Sequence, residues 1–282
     1  MKLLRFGPKG AEKPGALHSD GSIRDLSGVT GDFAFDAVSL DNIAKLKSLN
    51  LDDIPVVDGN PRIGSCVADI PNFHCIGLNY VQHAKETGNP IPKEPVIFTK
   101  ATSCLNGPYD NVVIPKGSEK TDWEVELGII IGRDTEHVSV EDALSVVAGY
   151  CIVNDVSERA FQAERGGQWC KGKSAPTFGP TGPWLVTTDE VPNPQNLGLS
   201  CSIDGAVQQS SNTSDMIFTV AECISYLSQF LRLRTGDLIC TGTPEGVGLG
   251  QKPPRFLKPG EAMELTIEGL GSQRQEAVAY PG

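Results

Sequence analysis

Residues 121–131 read TDWEVELGIII, a stretch that places two carboxylates inside an apolar run. Glu124 and Glu126 alternate with apolar residues such as Trp123 and Leu127, which is the pattern of a buried β-strand. Side chains at positions i and i+2 of a strand point to the same face, so both carboxylates face one space. Buried charges need a partner, and the pattern therefore predicts a cation between them. The alternative is a solvated strand face at a sheet edge.

Composition describes an ordinary globular chain and excludes several partner classes. The 282 residues are 39% hydrophobic and 21% charged, with a net charge of -11. No basic patch suits nucleic acid or an anionic membrane surface, and the longest apolar stretch, 143–153, is too short to span a bilayer. The N-terminus lacks the apolar region of a signal peptide, and none of the 8 cysteines forms a C-x-x-C pair. Together these features predict a cytoplasmic protein with reduced, buried thiols.

The chain divides by pattern into a small N-terminal α/β domain, residues 1–70, and a catalytic domain, residues 71–282. Short strands separated by Gly and Pro outnumber helices after residue 71 and do not alternate with them. This predicts an α+β, β-rich fold with a mixed sheet. Predicted strands are 73–78, 96–100, 111–114, 123–132, 149–154, 183–187, 198–204, 237–241 and 261–267. Predicted helices are 40–50, 80–87, 140–147, with Ser139 as its N-cap, 156–165 and 217–230.

A third carboxylate, Asp155, ends the apolar segment GYCIVND before a helical pattern. Alone it is explained as a helix N-cap. Together with Glu124 and Glu126 it predicts an oxygen-only site, which suits Mg²⁺, Mn²⁺ or Ca²⁺ and not zinc.

Two further segments carry groups that can act in catalysis. His83 and Glu86 share a helical face at i, i+3, and a carboxylate beside an imidazole orients it as a general base; the alternative is a surface ion pair. Lys171 and Lys173 lie in a Gly/Pro-rich loop and are candidates to hold a substrate oxyanion, or are solvated lysines.

The glycine-rich turn 236–250 follows a predicted strand but lacks the nucleotide-binding pattern G-x-x-x-x-G-K-[ST]. Its backbone N–H groups, with Thr241 or Thr243, are candidates to bind a substrate oxyanion.

Five motifs in order resemble the fumarylacetoacetate hydrolase family over roughly residues 70–270. They are GLNY-x-x-H-x-x-E, D-W-E-x-E-L, GY-x-x-x-ND-x-S-x-R, KGKS-x-x-T-F-x-P-x-GPW and GD-x-I-x-TGTP-x-GVG. The resemblance implies a mixed β-roll, a divalent metal, and a homodimer or a dimer of dimers. One departure is Ala175-Pro176 after KS, where the family often has Phe-Asp.

The resemblance also assigns roles to residues. It implies that Glu124, Glu126 and Asp155 bind the metal, that His83 activates water with Glu86 orienting it, and that the active-site lysine is Lys173. It assigns the substrate contacts to Gln162, Thr243, Asn79 and Lys173, with Arg159 bracing the site.

The predicted activity is metal-dependent hydrolysis of a C–C bond in a small 2,4-dioxo acid, through a pyruvate enolate. The departure after KS resembles the sugar-acid branch, so 2,4-diketo-3-deoxy-L-rhamnonate, giving pyruvate and lactate, is the first candidate substrate. The alternatives are a ureidoglycolate lyase-type C–N lyase, an oxaloacetate decarboxylase or isomerase, and a metal-binding module without activity.

Overall fold

The computed structural model describes all residues from Met1 to Gly282, in five α-helices, seventeen strands and short 3₁₀ turns. The helices are α1 (Leu40–Lys47), α2 (Val81–Glu86), α3 (Arg159–Ala163), α4 (Cys170–Lys173) and α5 (Val220–Phe230). The strands are β1 (Lys2–Phe6), β2 (Lys13–Leu17), β3 (Ile23–Asp25), β4 (Phe73–Gly77), β5 (Val96–Lys100), β6 (Leu105–Asn106), β7 (Val112–Val113), β8 (Thr121–Asp122), β9 (Val125–Ile131), β10 (Val147–Asn154), β11 (Ser157–Glu158), β12 (Gly179–Thr187), β13 (Gly198–Ile203), β14 (Ala206–Asn212), β15 (Leu238–Cys240), β16 (Ala262–Ile267) and β17 (Gly271–Val278).

Two sheets form the body of the molecule. The larger has the order β3-β2-β1-β12-β10-β9-β15-β4-β5, with β6 paired to β12. The smaller has the order β14-β13-β16-β17-β7, and β8 and β11 form a separate pair. Most neighbours are antiparallel, but β15 and β4 run parallel. The predicted α+β, β-rich fold with mixed sheets is confirmed.

Strands β9 and β10 lie near the centre of the larger sheet, and both of their faces are covered. Every residue of VELGIII and of VAGYCIVN is buried, as expected of continuous apolar strands rather than alternating ones. The smaller sheet contacts this region through β13, β16 and β17, and it keeps the alternating pattern of a sheet with one solvated face. The ends of β9 and β10 are therefore held rigidly from both sides.

Several predicted elements differ from the structure. The predicted helix 140–147 is wrong: only a 3₁₀ turn, Ala143–Val146, precedes β10, because the apolar run from Val147 joins the ladder of β9. Ser139 Oγ still accepts the Asp142 N–H at 3.2 Å, but no α-helix follows.

The helix predicted at 156–165 is shortened, since its first residues form β11 and its N-cap is Glu158. Asp155 is therefore not a helix cap. Strands β14 and β17 were not predicted, because their sequences, AVQQSSN and GSQRQEAV, are largely polar.

The N-terminal strands extend the larger sheet, since β1 pairs with β12 through Leu3 and Leu185. The division into domains 1–70 and 71–282 stays a prediction. Seven of the eight free cysteines are buried, as predicted, and Cys170 is exposed. No helix has the length and apolar character needed to cross a membrane.

Candidate active site

A cavity of about 720 Å³ opens beside the ends of β9 and β10, between α2, α3 and α4. Eight of the ten predicted site residues line it: His83, Glu86, Glu124, Glu126, Arg159, Gln162, Lys173 and Thr243. Asp155 lies directly behind Lys173 and is fully buried. Asn79 is the exception described below.

The pairing of β9 with β10 brings the three predicted metal ligands together. Val125 pairs with Asn154 and Glu126 with Val153, so the same register sets Asp155 opposite Glu124, where its N–H donates to the Glu124 carbonyl at 2.9 Å. Residues opposite each other in a ladder share a face. One oxygen from each of Glu124, Glu126 and Asp155 lies within 4.8 Å of the other two, and all three residues are buried.

Protein cations neutralise two of these carboxylates. Lys173 Nζ lies 2.6 Å from Glu124 and 2.7 Å from Asp155, and Arg159 Nη1 lies 2.7 Å from Glu124. Burial alone would raise the pKa of Glu124, but Lys173 and Arg159 outweigh it and lower that pKa. Lys100 Nζ contacts the other Asp155 oxygen at 2.5 Å.

Glu126 has no cation among its hydrogen-bond and ion-pair partners. The Gly242 N–H donates to it at 2.8 Å. Burial, followed by the Asp155 and Glu124 charges, raises the pKa of Glu126 well above its ordinary range.

When every group is counted as ionised, which is the state that binds a cation, the local charges leave one negative charge in excess. Four buried carboxylates stand against three buried cations in this network, namely Asp122, Glu124, Glu126 and Asp155 against Lys100, Arg159 and Lys173. The excess falls at Glu126. A hard divalent cation held by Glu124, Glu126 and Asp155 fits this donor set, which contains only oxygen.

Lys100 was missed by sequence reasoning. It ends the edge strand β5, and 55 residues separate it from Asp155. Its Nζ also donates to the Val156 carbonyl at 3.2 Å, and its side chain is fully buried. Nothing in EPVIFTK distinguishes it from a lysine that ends a strand in solvent.

We expect Lys100→Met to destabilise the metal-free protein by about 3–5 kcal/mol, because removing one partner leaves the Asp155 charge buried without its second cation. Chemical denaturation of the metal-free protein measures the loss. Lys171→Met is the matched control: Lys171 is exposed, so its replacement should change stability by less than about 0.5 kcal/mol. Equal stability of the two variants would contradict the structural role of Lys100.

The predicted His83–Glu86 pair is present on α2 within the cavity wall. His83 Nδ1 lies 3.3 Å from Glu86 Oε2. The Gly246 N–H reaches both Glu86 oxygens, at 3.0 and 3.2 Å, and holds the carboxylate in place. The pair is therefore a positioned, cavity-lining dyad and not a solvated surface pair.

The glycine-rich turn uses its N–H groups on protein carboxylates, which corrects the prediction that they bind a substrate oxyanion. Gly242 donates to Glu126, Gly246 to Glu86, and Gly248 to Asp122 at 2.7 Å. Asp122 also accepts from Arg159 Nε at 2.8 Å. Asp122, another residue that sequence reasoning missed, thus ties this turn to Arg159.

We expect Gly250→Ala to lower turnover by about 10²-fold, a loss typical of a small misplacement of a catalytic group. The added methyl would overlap the carboxyl group of Glu86 and push it from His83. Steady-state kinetics checks this, with Gly28→Ala as control because nothing lies within 4 Å of a methyl there. Unchanged turnover in Gly250→Ala would show that the position of Glu86 is not critical.

The remaining predicted contacts separate into two groups. Gln162 lines the cavity, with its Oε1 3.3 Å from Arg159 Nη1. Thr243 lines it too, but its hydroxyl donates to the Val125 carbonyl at 2.9 Å. Lys173 is buried, whereas Lys171 is exposed, so the structure distinguishes between the two lysines.

Asn79 does not line the cavity, which corrects its predicted substrate contact. It is fully buried. Its carboxamide donates to the carbonyls of Thr241 at 2.8 Å and Phe218 at 3.0 Å, and accepts from the Phe218 N–H at 2.8 Å. These backbone groups occupy the donors and the acceptor of the Asn79 carboxamide that a substrate contact would need.

Comparison with known proteins agrees with this geometry. The fumarylacetoacetate (FAA) hydrolase C-terminal family matches residues 72–278. A Burkholderia multivorans protein is 57% identical over 276 residues, which are 98% of each chain, and its name gives only the general class of hydrolase.

Two solved structures are also similar over their whole length. The fumarylacetoacetate hydrolase of Exiguobacterium antarcticum is 33% identical with a TM-score of 0.88, covering 99% of this chain and 100% of that one. A probable 2-hydroxyhepta-2,4-diene-1,7-dioate isomerase of Mycobacterium abscessus is 30% identical with a TM-score of 0.83, covering 100% of both chains. Enzymes of this family typically depend on a divalent metal. The chain belongs to the fumarylacetoacetate hydrolase family, whose members include hydrolases and isomerases of oxo acids.

Proposed function

We propose that this protein hydrolyses a C–C bond of a 2,4-dioxo acid with the help of a divalent cation and releases pyruvate. The observation that carries the proposal is the placement of the carboxylate cluster and the His83–Glu86 dyad on one cavity. Hydrolysis needs both a site for the charge that develops on the substrate and a base for water, and residues of both groups line the same cavity.

The charge of the site favours an anionic substrate. The excess negative charge at Glu126 becomes one positive charge in excess when a divalent cation binds. One carboxylate of an oxo acid would balance it. The proposal therefore favours a monoanionic substrate over a neutral one.

Glu124, Glu126 and Asp155 would hold the cation, and Mg²⁺ is the first candidate, with Mn²⁺ and Ca²⁺ as alternatives. When bound, the cation supplies Lewis acidity that polarises an oxo group of the substrate.

His83 would take a proton from water. A hydrogen on Nδ1, donated to Glu86, leaves Nε2 free as the accepting atom. Gly246 fixes Glu86 and thereby the orientation of the imidazole. A base positioned in this way contributes about 10²–10⁴-fold to a rate.

The water oxygen would bond to C4 of the substrate while the C3–C4 bond breaks. The electron pair of that bond passes to the pyruvate fragment as an enolate, and C4 becomes the carboxyl carbon of a second acid. The proton that His83 took from water is then delivered to C3 to give pyruvate. Burial opposes the charged form of Lys173, but Asp155 and Glu124 outweigh it and raise its pKa. Lys173 therefore remains a cation beside the cavity as the enolate forms.

A substrate panel tests the proposal. Acylpyruvates, oxaloacetate and 2,4-diketo-3-deoxy-L-rhamnonate are each incubated with Mg²⁺ or Mn²⁺ and scored for pyruvate, and ureidoglycolate is scored for glyoxylate. We expect pyruvate from a dioxo acid, with the rhamnonate derivative as the first candidate, and none from enzyme stripped of metal. Full activity after stripping would refute the metal-dependent route.

An isomerase or decarboxylase is the second candidate, supported by the similarity to the M. abscessus isomerase. A decarboxylation needs the charged site but no water activation, so His83→Gln would leave it largely intact, whereas an isomerisation still needs a base to move a proton and would be slowed. A homodimer and a cytoplasmic location stay predictions.

A further inference from the structure

Near the metal ligands, strand β9 keeps its partner β10 but loses its other partner, β15. β15 pairs with β9 from Leu238–Ile130 to Cys240–Gly128, and the Thr241 N–H still reaches the Leu127 carbonyl at 3.1 Å. Beyond this point the chain turns away, and the Gly242 N–H donates to the Glu126 side chain instead. The turn supplies a donor to a ligand but leaves Val125, between the two ligands, without a strand on the side opposite β10.

Two side chains replace that strand. Gln209 Oε1 accepts the Val125 N–H at 3.0 Å, and the Thr243 hydroxyl donates to the Val125 carbonyl at 2.9 Å. Gln209 Nε2 in turn donates to Thr243 Oγ at 2.8 Å and to the Pro244 carbonyl at 2.9 Å. The carboxamide of Gln209 therefore joins the ligand strand to the turn that carries Gly242.

Gln209 is itself held firmly. It lies on β14 in the smaller sheet and is fully buried. The next glycine of the turn, Gly246, packs so closely on the backbone of Gln208 and Gln209 that a methyl group would overlap it. Both hydrogen-bonding atoms of the Gln209 side chain are thus fixed by neighbours in two segments, β9 and the glycine-rich turn.

We propose that Gln209 is a positioning residue for the metal site, which acts by fixing the backbone between Glu124 and Glu126 and the Gly242 turn. The inference rests on the metal site of the proposed function. Removing a group that orients a metal ligand typically lowers metal affinity by about 10–100-fold. Neither Gln209 nor its hydrogen bonds touch the cation, so any such effect must pass through the backbone.

The test is calorimetric titration of metal-free protein with Mn²⁺. Gln209→Met keeps a similar volume and removes all three side-chain hydrogen bonds, and we expect its Kd to rise about 10–100-fold. Thr213→Val is the control. Thr213 is also fully buried, and its hydroxyl donates to the Pro194 carbonyl at 2.8 Å and accepts the Leu197 N–H at 2.9 Å, but these partners form no hydrogen bond with β9 or with the Gly242 turn. We expect a similar loss of stability and a native Kd.

A second pair of variants guards against misfolding of Gln209→Met. Thr243→Val should weaken Mn²⁺ binding, because it removes the hydroxyl that Gln209 and Val125 share, and Thr243→Ser should restore it. A native Kd in folded Gln209→Met, or an equal rise in Thr213→Val, would overturn the positioning role alone. Absence of Mn²⁺ binding by the unaltered protein would overturn the metal site of the proposed function and this inference with it.

Discussion

Glu126→Gln should abolish divalent-cation binding without destabilising the metal-free fold. The glutamine oxygen still accepts from Gly242 N–H, and the change replaces a buried carboxyl group whose ionised form no protein cation neutralises. We expect metal affinity to fall by more than about 100-fold. This is the largest loss usual for a group that only orients a ligand, and Glu126 would itself be a ligand. Titration calorimetry with Mg²⁺ or Mn²⁺ and chemical denaturation without metal measure the two effects.

The dependence on pH follows from the raised pKa of Glu126. The unfolded chain releases the Glu126 proton near the ordinary pKa of 4.5, whereas the folded protein keeps this proton to higher pH. The metal-free protein therefore loses stability as pH rises from that value toward the raised pKa. Glu126→Gln removes this loss, so its stability at neutral pH should equal or exceed that of the native protein. Cation binding should also weaken as pH falls, because the proton on Glu126 must leave first.

Glu124→Gln is the matched comparison, two residues away in the same segment. It leaves Lys173 and Arg159 without the carboxylate that both contact, which should cost about 3–5 kcal/mol in the metal-free protein. Equal stability of the two variants would contradict the assignment of Glu124 as neutralised and Glu126 as not neutralised.

His83→Gln should lower hydrolysis by about 10²–10⁴-fold, the usual contribution of a positioned base. Cation binding should be unchanged, since His83 is not part of the group of residues that would hold the cation. Pyruvate release under saturating metal, together with a metal titration, separates the two effects.

His18→Gln is the control for this prediction, because His18 lies outside the cavity and pairs with Asp20 and Asp52. Normal hydrolysis by His83→Gln would exclude His83 as the base. A decarboxylation that survives while hydrolysis is lost would show that the same charged site serves both reactions.

The local patterns of the sequence were sufficient for a large part of the site. The strand period predicted that Glu124 and Glu126 share a face, and helical spacing predicted the contact between His83 and Glu86. Both depend on neighbours within a few residues, which backbone geometry alone brings together. The apolar run around and after Glu126 likewise predicted a buried strand.

Only the tertiary structure decided the contacts between distant segments. The register of β9 and β10 made Asp155 a partner of Glu124 instead of a helix cap, and the order of the larger sheet brought Lys100 to Asp155 across 55 residues. Asn79 and the glycine-rich turn were misassigned for the same reason. Sequence shows which groups are polar, but a buried polar group takes the partner that packing supplies, and packing is set by the whole sheet.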